Sequence, residues 1–172
     1  QPLGVTARAW LVVALAAASA GVAQGFGRFT LGVVLPAIRS DLGLSNTIAG
    51  SLATANVAAY LVGTLAVAMA SSRIRLITIM KAGLLIAVGG QVLSAVAPNA
   101  PVLAVGMFCS GFGGAWVWIP TPVVASSVFP PEKRGTAIGF LSSGMALSIV
   151  FTSQLAGWVR RIWGDAGWRN VY

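Results

Sequence analysis

Residues 82–131 read AGLLIAVGGQVLSAVAPNAPVLAVGMFCSGFGGAWVWIPTPVVASSVFPP, a run of 50 residues without a charged side chain. A helix needs about 20 predominantly apolar residues to cross a lipid bilayer. The sequence PNAP at positions 98–101 interrupts the run with residues that favour turns. The run therefore predicts two membrane-spanning helices, at about residues 76–97 and 101–128.

The rest of the 172-residue chain has the same apolar character. Hydrophobic residues make up 57% of it and charged residues only 8%, whereas a soluble domain carries about 25% charged residues. Three more apolar stretches predict spans at about residues 9–36, 46–70 and 136–159. Residues 168–172 look like the start of a sixth helix. We therefore expect an all-α polytopic membrane protein with five transmembrane helices, the first part of a longer chain.

The residues that usually carry enzyme chemistry are scarce. The chain has no His, and its three acidic residues, Asp41, Glu132 and Asp165, lie far apart in the sequence. Cys109 is the single cysteine, so no internal disulfide can form. These counts weigh against a catalytic triad or a metal site, and we expect neither enzyme activity nor a cofactor.

The net charge of +8 does not indicate nucleic-acid binding, because the cations sit in ones and twos between apolar runs. The short connections make neighbouring helices antiparallel, which assigns each cation to one side of the membrane. The side of the N-terminus receives six: Arg8, Arg73, Arg75, Lys81, Lys133 and Arg134. The other side receives four: Arg39, Arg160, Arg161 and Arg169. The positive-inside rule then predicts a cytoplasmic N-terminus.

Arg28 lies deep inside a predicted span, about two-thirds of the way along the first. A charge at the centre of a membrane helix costs about 2.5–3.5 kcal/mol on insertion scales. No acidic residue lies at a comparable depth. The partner of Arg28 is therefore a cluster of carbonyl groups, a carboxylate outside this sequence, or a negatively charged ligand. Alternatively, the side chain packs against carbonyls or extends to the headgroups.

Other polar and aromatic side chains could line the same interior and contact a solute. The candidates for substrate binding beside Arg28 are Gln24, Asn56, Tyr60, Trp116, Trp118 and Gln154. Each could instead form an interhelical hydrogen bond or lie at the membrane interface. Trp116 and Trp118 point about 200° apart on a helix, so only one of them can face a given cavity.

Glycines and serines recur at helical spacing in three of the predicted spans. Small residues let membrane helices approach closely, so these stripes predict helix–helix contacts. They are Gly21, Gly25 and Gly32 in the first span, Gly106, Ser110, Gly113 and Gly114 in the fourth, and Gly135, Gly139 and Ser143 in the fifth.

Several short sequences, taken in order, resemble one known family. GFGRF at 25–29, LPAI at 35–38 and DLGLS at 41–45 are similar to the first helix and first outer loop of major facilitator superfamily transporters. FPPEKRGTA at 129–137 resembles the cytoplasmic link between their helices 4 and 5, and GWR at 167–169 the start of helix 6. The GFGRF element is similar to the YbfB/YjiJ branch.

The resemblance implies a 12-helix transporter made of two six-helix bundles, with a site near the midplane and alternating access. This chain would be most of the N-terminal bundle, over residues 1–172. Helices 1 and 4 line the cavity in that family, so Arg28, Gln24 and one of Trp116 or Trp118 would face the ligand.

Three departures from the family pattern stand out. The usual Gly-x-x-x-Asp-Arg between helices 2 and 3 is replaced by ASSRIR at 70–75, without an acid. A latch made by the loop residues Arg73, Arg75, Glu132 and Arg134 would therefore work differently, or Arg73 and Arg75 only set the topology. Met107 precedes Gly111 where many members carry Arg, and Met145 follows Gly144 where drug antiporters carry Pro. Proton-driven drug export is therefore disfavoured.

These observations predict a secondary active transporter of a small organic solute, an organic anion, that works by alternating access. We expect it in the cytoplasmic (inner) membrane of a bacterium. Its partners would be the lipid bilayer, the solute and a C-terminal transporter half. The alternative is a non-transporting membrane scaffold or subunit that packs through its Gly and Trp helix faces.

Overall fold

The computed structural model describes residues 6–172, which form five long helices and no strand. The helices are α1 (Ala7–Asp41), α2 (Asn46–Ala70), α3 (Leu76–Ala95), α4 (Ala100–Ser127) and α5 (Arg134–Trp163). All five are long and apolar enough to cross a membrane. The predicted all-α fold with five transmembrane helices is therefore confirmed.

Short polar caps define where α2 and α4 begin. The Ser45 hydroxyl accepts a hydrogen bond from the Ile48 amide at 3.3 Å, and the Asn99 side chain accepts one from the Val102 amide at 3.1 Å. These oxygens satisfy backbone N–H groups that a helix start leaves without partners. Gly43, with a φ of +60°, makes the tight turn between α1 and α2.

The longest helix, α1, is not regular throughout. Its ends, Ala7–Ala20 and Thr30–Asp41, are α-helical, but the nine residues Gly21–Phe29 between them form a π-helix. Pro36 lies inside the last part, so the helix continues past the proline where the sequence predicted its end. A π-helix is wider than an α-helix and is frequently found at functional sites.

Helices α3 and α4 are in backbone contact. A β-carbon at Gly90 would lie 2.6 Å from the Gly106 carbonyl oxygen, and one at Gly113 would lie 2.5 Å from the Gly83 carbonyl oxygen. Only glycine fits such a close approach. The predicted packing role of Gly106 and Gly113 is therefore confirmed.

The glycines predicted to pack in α1 and α5 divide into two groups. A β-carbon at Gly25 would overlap Ser148 of α5, so this glycine lets the two helices approach. Gly32, Gly135 and Gly139 have no atom within 4 Å of their β-carbon positions. The prediction of close contacts is wrong for these three within the described part of the chain. Helical spacing shows which residues share a face, but not whether that face meets a neighbour.

One end of the bundle, which we call the far end, lies where α1 ends. Asp41 accepts hydrogen bonds there from the indole N–H of Trp168 at 2.9 Å and from the guanidinium of Arg169. Arg169 also donates to the Ala97 carbonyl at 3.2 Å. Trp168 is buried within the 3₁₀ segment Asp165–Val171. These contacts join α1, the α3–α4 loop and the segment after α5.

Candidate functional site

Four helices line an open cavity of about 100 Å³, which we call the central cavity. Gln24, Arg28 and Phe29 come from α1, and α2, α4 and α5 each add one residue: Tyr60, Trp118 and Met145. Tyr60 lies near the middle of α2 (Asn46–Ala70), so the cavity lies at about half the length of that helix. Three residues predicted to bind solute, Gln24, Tyr60 and Trp118, therefore lie together with Arg28.

The guanidinium of Arg28 lies over the ring of Tyr60. Its carbon Cζ lies 4.5 Å from the ring centroid, which is within the range of a cation–π interaction. Such a contact is worth about 0.5–2 kcal/mol, whereas placing Arg at the centre of a membrane helix costs about 2.5–3.5 kcal/mol. The aromatic ring therefore offsets only part of the cost.

Arg28 has no counter-charge within residues 6–172. Asp41 pairs with Arg169 at the far end, and Asp165 pairs with Arg160 at 2.8 Å. Glu132 lies exposed in the α4–α5 connection. Among the described residues, Arg28 also donates no hydrogen bond to a carbonyl or side chain. Arg28 lines the cavity, so its N–H donors could bind a negatively charged group there.

A second open cavity of about 230 Å³ lies between α1 and α2 and also includes Arg28 in its wall. Asn56 is part of its wall, but the side chain is only 1% exposed. The Asn56 amide donates a hydrogen bond of 2.8 Å to the Met107 carbonyl of α4. The structure therefore places Asn56 in α2–α4 packing as well as beside the cavity.

Gln24 connects α1 to α4 at the rim of the first cavity. It is 3% exposed, and its amide donates a hydrogen bond of 3.4 Å to the Gly114 carbonyl. The bond fixes the side chain one helical turn before Arg28. Gln24 therefore holds the wall of the cavity in place from inside the bundle.

The two tryptophans of α4 face different neighbours. Trp118 lines the cavity of Arg28, whereas Trp116 contacts the Phe112 ring at 5.3 Å and packs beside Gly83 of α3. Within the described residues, the Trp116 indole N–H is buried without a hydrogen-bond partner. Of the two alternatives that the sequence left open, the structure places Trp118 at the cavity.

Gln154 lies away from both cavities. It is exposed on α5, nine residues after Met145, which turns it about 180° around the helix from the cavity-lining face. Its predicted contact with a solute receives no support from the described cavities.

The loop residues predicted to form a gate are all exposed. They are Arg73, Arg75, Glu132 and Arg134. No ion pair between Glu132 and any of the three arginines occurs in the part of the chain that the structure describes. These residues do not form a latch with one another in this conformation.

Met145 and Phe29 complete the cavity, although neither was selected as a site residue from the sequence. Both are apolar residues in apolar helices, and only the packing of the helices shows which face they occupy. Gln91 and Ser110 were also not selected for the site. As a long polar side chain within the apolar α3, Gln91 carried a usable signal, because such residues usually bond to a neighbouring helix.

A bundle of membrane-length helices that lines a cavity with an arginine, which has no counter-charge among residues 6–172, defines a polytopic membrane protein with a polar site. The family model of the Major Facilitator Superfamily matches residues 17–172. The chain belongs to this superfamily of membrane transporters, which confirms the resemblance found in the sequence.

Several curated proteins are similar to the chain. The putative uncharacterized transporter YgaY of Escherichia coli (strain K12) is 29% identical over 142 residues, which are 81% of this chain and 34% of YgaY. The uncharacterized MFS-type transporter YfhI of Bacillus subtilis (strain 168) is 27% identical over 86% of this chain and 36% of its own length. The MFS-type transporter opaD of Aspergillus ustus is 37% identical over 76 residues, 44% of this chain and 13% of opaD. The chain spans about a third of the length of YgaY and YfhI.

Proposed function

We propose that this chain forms most of the N-terminal bundle of a secondary active transporter that moves a small organic anion by alternating access. A C-terminal half outside this chain would complete the transporter. The protein would lie in a bacterial cytoplasmic membrane with its N-terminus in the cytoplasm, and would belong to the YbfB/YjiJ-like branch. The observation that supports the substrate class is Arg28, which lies in the central cavity without a counter-charge among residues 6–172.

The cavity walls suggest the chemistry of the solute. A guanidinium presents forked N–H donors that match a carboxylate or a phosphate, and its attraction for an anion is stronger away from bulk water. Tyr60, Trp118 and Met145 add aromatic and apolar surface next to these donors. A carboxylate with an apolar or aromatic body fits this combination.

The two cavities measure about 100 and 230 Å³ and form this chain's part of the proposed site. Both cavities include Arg28, so an anion bound to this residue could extend into either. The C-terminal half would close the site from the remaining side.

The test is anion uptake by the full-length transporter in proteoliposomes, with a panel of aliphatic and aromatic carboxylates. Losing a desolvated, charge-assisted contact costs at least about 2 kcal/mol, so we expect Arg28→Ala to lower uptake by about 30-fold or more. Arg28→Lys keeps the positive charge but loses the forked pair of N–H donors, so this variant should retain part of the uptake activity. The matched control is Arg161→Ala, which removes an exposed arginine at the far end.

Two results would contradict the proposal. Wild-type uptake by both Arg28 variants would remove this residue from solute binding. Absence of any carboxylate uptake by the wild-type protein would favour the scaffold alternative. Removal of an unpaired charge should leave the melting temperature of Arg28→Ala unchanged or higher, so a loss of uptake would not be explained by unfolding.

A further inference from the structure

The π segment of α1, Gly21–Phe29, contains Arg28 and contacts α3, α4 and α5, and Arg28 also reaches Tyr60 of α2. Most π-helical stretches in proteins are single-turn bulges, so a run of nine residues needs support from its surroundings. Two side chains from neighbouring helices supply such support. Gln91 of α3 donates a hydrogen bond of 3.0 Å to the Val22 carbonyl, and Ser110 of α4 donates one of 3.1 Å to the Gly27 carbonyl.

These two donors bind near opposite ends of the segment. Val22 is its second residue, and Gly27 directly precedes Arg28. Gln91 and Ser110 are 5% and 2% exposed, so neither hydrogen bond can be replaced by one to bulk water. Backbone carbonyls in a membrane bundle need internal partners, which gives both contacts a role beyond packing.

The side chains of Gln91 and Ser110 converge on Gly27. A β-carbon at this position would lie 2.5 Å from the Ser110 hydroxyl and 3.0 Å from the Gln91 amide nitrogen. Glycine therefore allows both donors to approach the backbone next to Arg28. The geometry ties the path of α1 at this point to α3 and α4.

The register of the segment decides where Arg28 points. A change of one residue in helix register turns all following side chains by about 100°. If the segment shifted toward a regular α-helix, Arg28 would rotate away from Tyr60 and from the cavity. The contacts that hold the segment therefore also hold the direction of the guanidinium.

We propose that Gln91 and Ser110 are positioning residues that hold the π segment of α1 in register and so direct Arg28 into the central cavity. The part of this inference that concerns anion affinity rests on the proposed function. The part that concerns the helix register depends only on the contacts among α1, α3 and α4.

Kinetics of the full-length transporter test the first part. The variants are Gln91→Met, which keeps the length of the side chain without the donor, Ser110→Ala, and the two combined. We expect the double variant to raise KM for a transported carboxylate by about tenfold while the maximal rate changes by less than about twofold. Ser94→Ala is the matched control, because the buried Ser94 hydroxyl donates only within its own helix, to Gly90. A wild-type KM in the double variant would overturn the proposal.

Cross-linking tests the register directly. The Phe26 ring of the π segment lies 6.2 Å from the Phe151 ring of α5. The pair Phe26→Cys/Phe151→Cys, in a Cys109→Ala background, should be joined by a short bifunctional thiol reagent. The cross-link yield should fall several-fold when Gln91→Met and Ser110→Ala are added, and should stay unchanged with Ser94→Ala.

The two measurements separate the two proposals. An unchanged cross-link yield in the Gln91→Met/Ser110→Ala protein would overturn the positioning role, whatever the kinetics show. A reduced yield in a protein whose wild type transports no carboxylate would support the positioning role and contradict the proposed function. No cross-link in the wild-type background would contradict the α1–α5 contact and the proposal with it.

Discussion

The guanidinium carbon Cζ of Arg28 lies over the ring of Tyr60, 4.5 Å from the ring centroid. This contact joins the π segment of α1 to the middle of α2. Among the described residues, the guanidinium N–H groups of Arg28 have no hydrogen-bond acceptor. The aromatic contact therefore orients the cation and leaves its donors available.

Replacing Tyr60 should weaken anion binding without abolishing transport. Tyr60→Leu removes a contact worth about 0.5–2 kcal/mol, so we expect KM for a carboxylate to rise by roughly 2- to 30-fold. Tyr60→Phe keeps the ring and should remain close to wild type. Uptake kinetics in proteoliposomes measure both variants, and an equal loss in both would point to the hydroxyl instead of the ring.

The two tryptophans of α4 should differ in their effect on solute binding. Trp118 lines the cavity and Trp116 packs against α3. We expect Trp118→Leu to raise KM for aromatic carboxylates about tenfold, because it removes an aromatic wall of the site. Trp116→Leu should leave KM within about twofold and lower the melting temperature. If Trp116→Leu raised KM and Trp118→Leu did not, Trp116 would be the residue at the site, and the assignment of Trp118 would be wrong.

Gly25 should be intolerant of a side chain, whereas Gly32 on the same helix should accept one. The β-carbon of Gly25→Ala would overlap Ser148, and that of Gly32→Ala would meet no atom within 4 Å. Overpacking typically costs about 1–3 kcal/mol. Thermal unfolding of the full-length protein in detergent should show a lower melting temperature for Gly25→Ala only. Adding Ser148→Gly should restore it, and a failure of this rescue would assign the loss to the helix backbone.

The two ion pairs of the described chain should contribute unequally to stability. Asp41 bonds to the buried Trp168 as well as to Arg169, while the Arg160–Asp165 pair is more exposed. We expect Asp41→Asn to cost about 1–2 kcal/mol, after allowance for partial exposure. Asp165→Asn should cost about 0–1 kcal/mol. Thermal unfolding compares the two, and equal losses would show that the bond to Trp168 adds little.

Much of the fold could be predicted because hydropathy and charge encode membrane spans directly. The uncharged run at residues 82–131 contains α3 and α4 on either side of the predicted turn. The π segment Gly21–Phe29 could not be predicted in this way, since apolar composition does not encode the hydrogen-bond register of a helix. Its support comes from Gln91 and Ser110, which are distant in sequence.

The site was predictable to the extent that its chemistry was unusual. Arg28 stands out because a charge within an apolar span needs an explanation. Met145 does not stand out, because it is one apolar residue among many on α5. Gln154 attracted attention as a polar residue in a span, yet it faces away from the cavities. Composition identifies the candidates, while the rotation of each helix decides which of them meet.

The glycine contacts between α3 and α4 have a practical consequence for anyone who wishes to follow motion in this protein. Backbones that touch at Gly90 and Gly106 leave no space for a spin label or fluorophore in between. Gly89, whose β-carbon position is clear of other atoms, offers an attachment point on the outside of the pair. A probe at Gly89 would report the displacement of α3 and α4 together, because the two helices would move as one rigid unit.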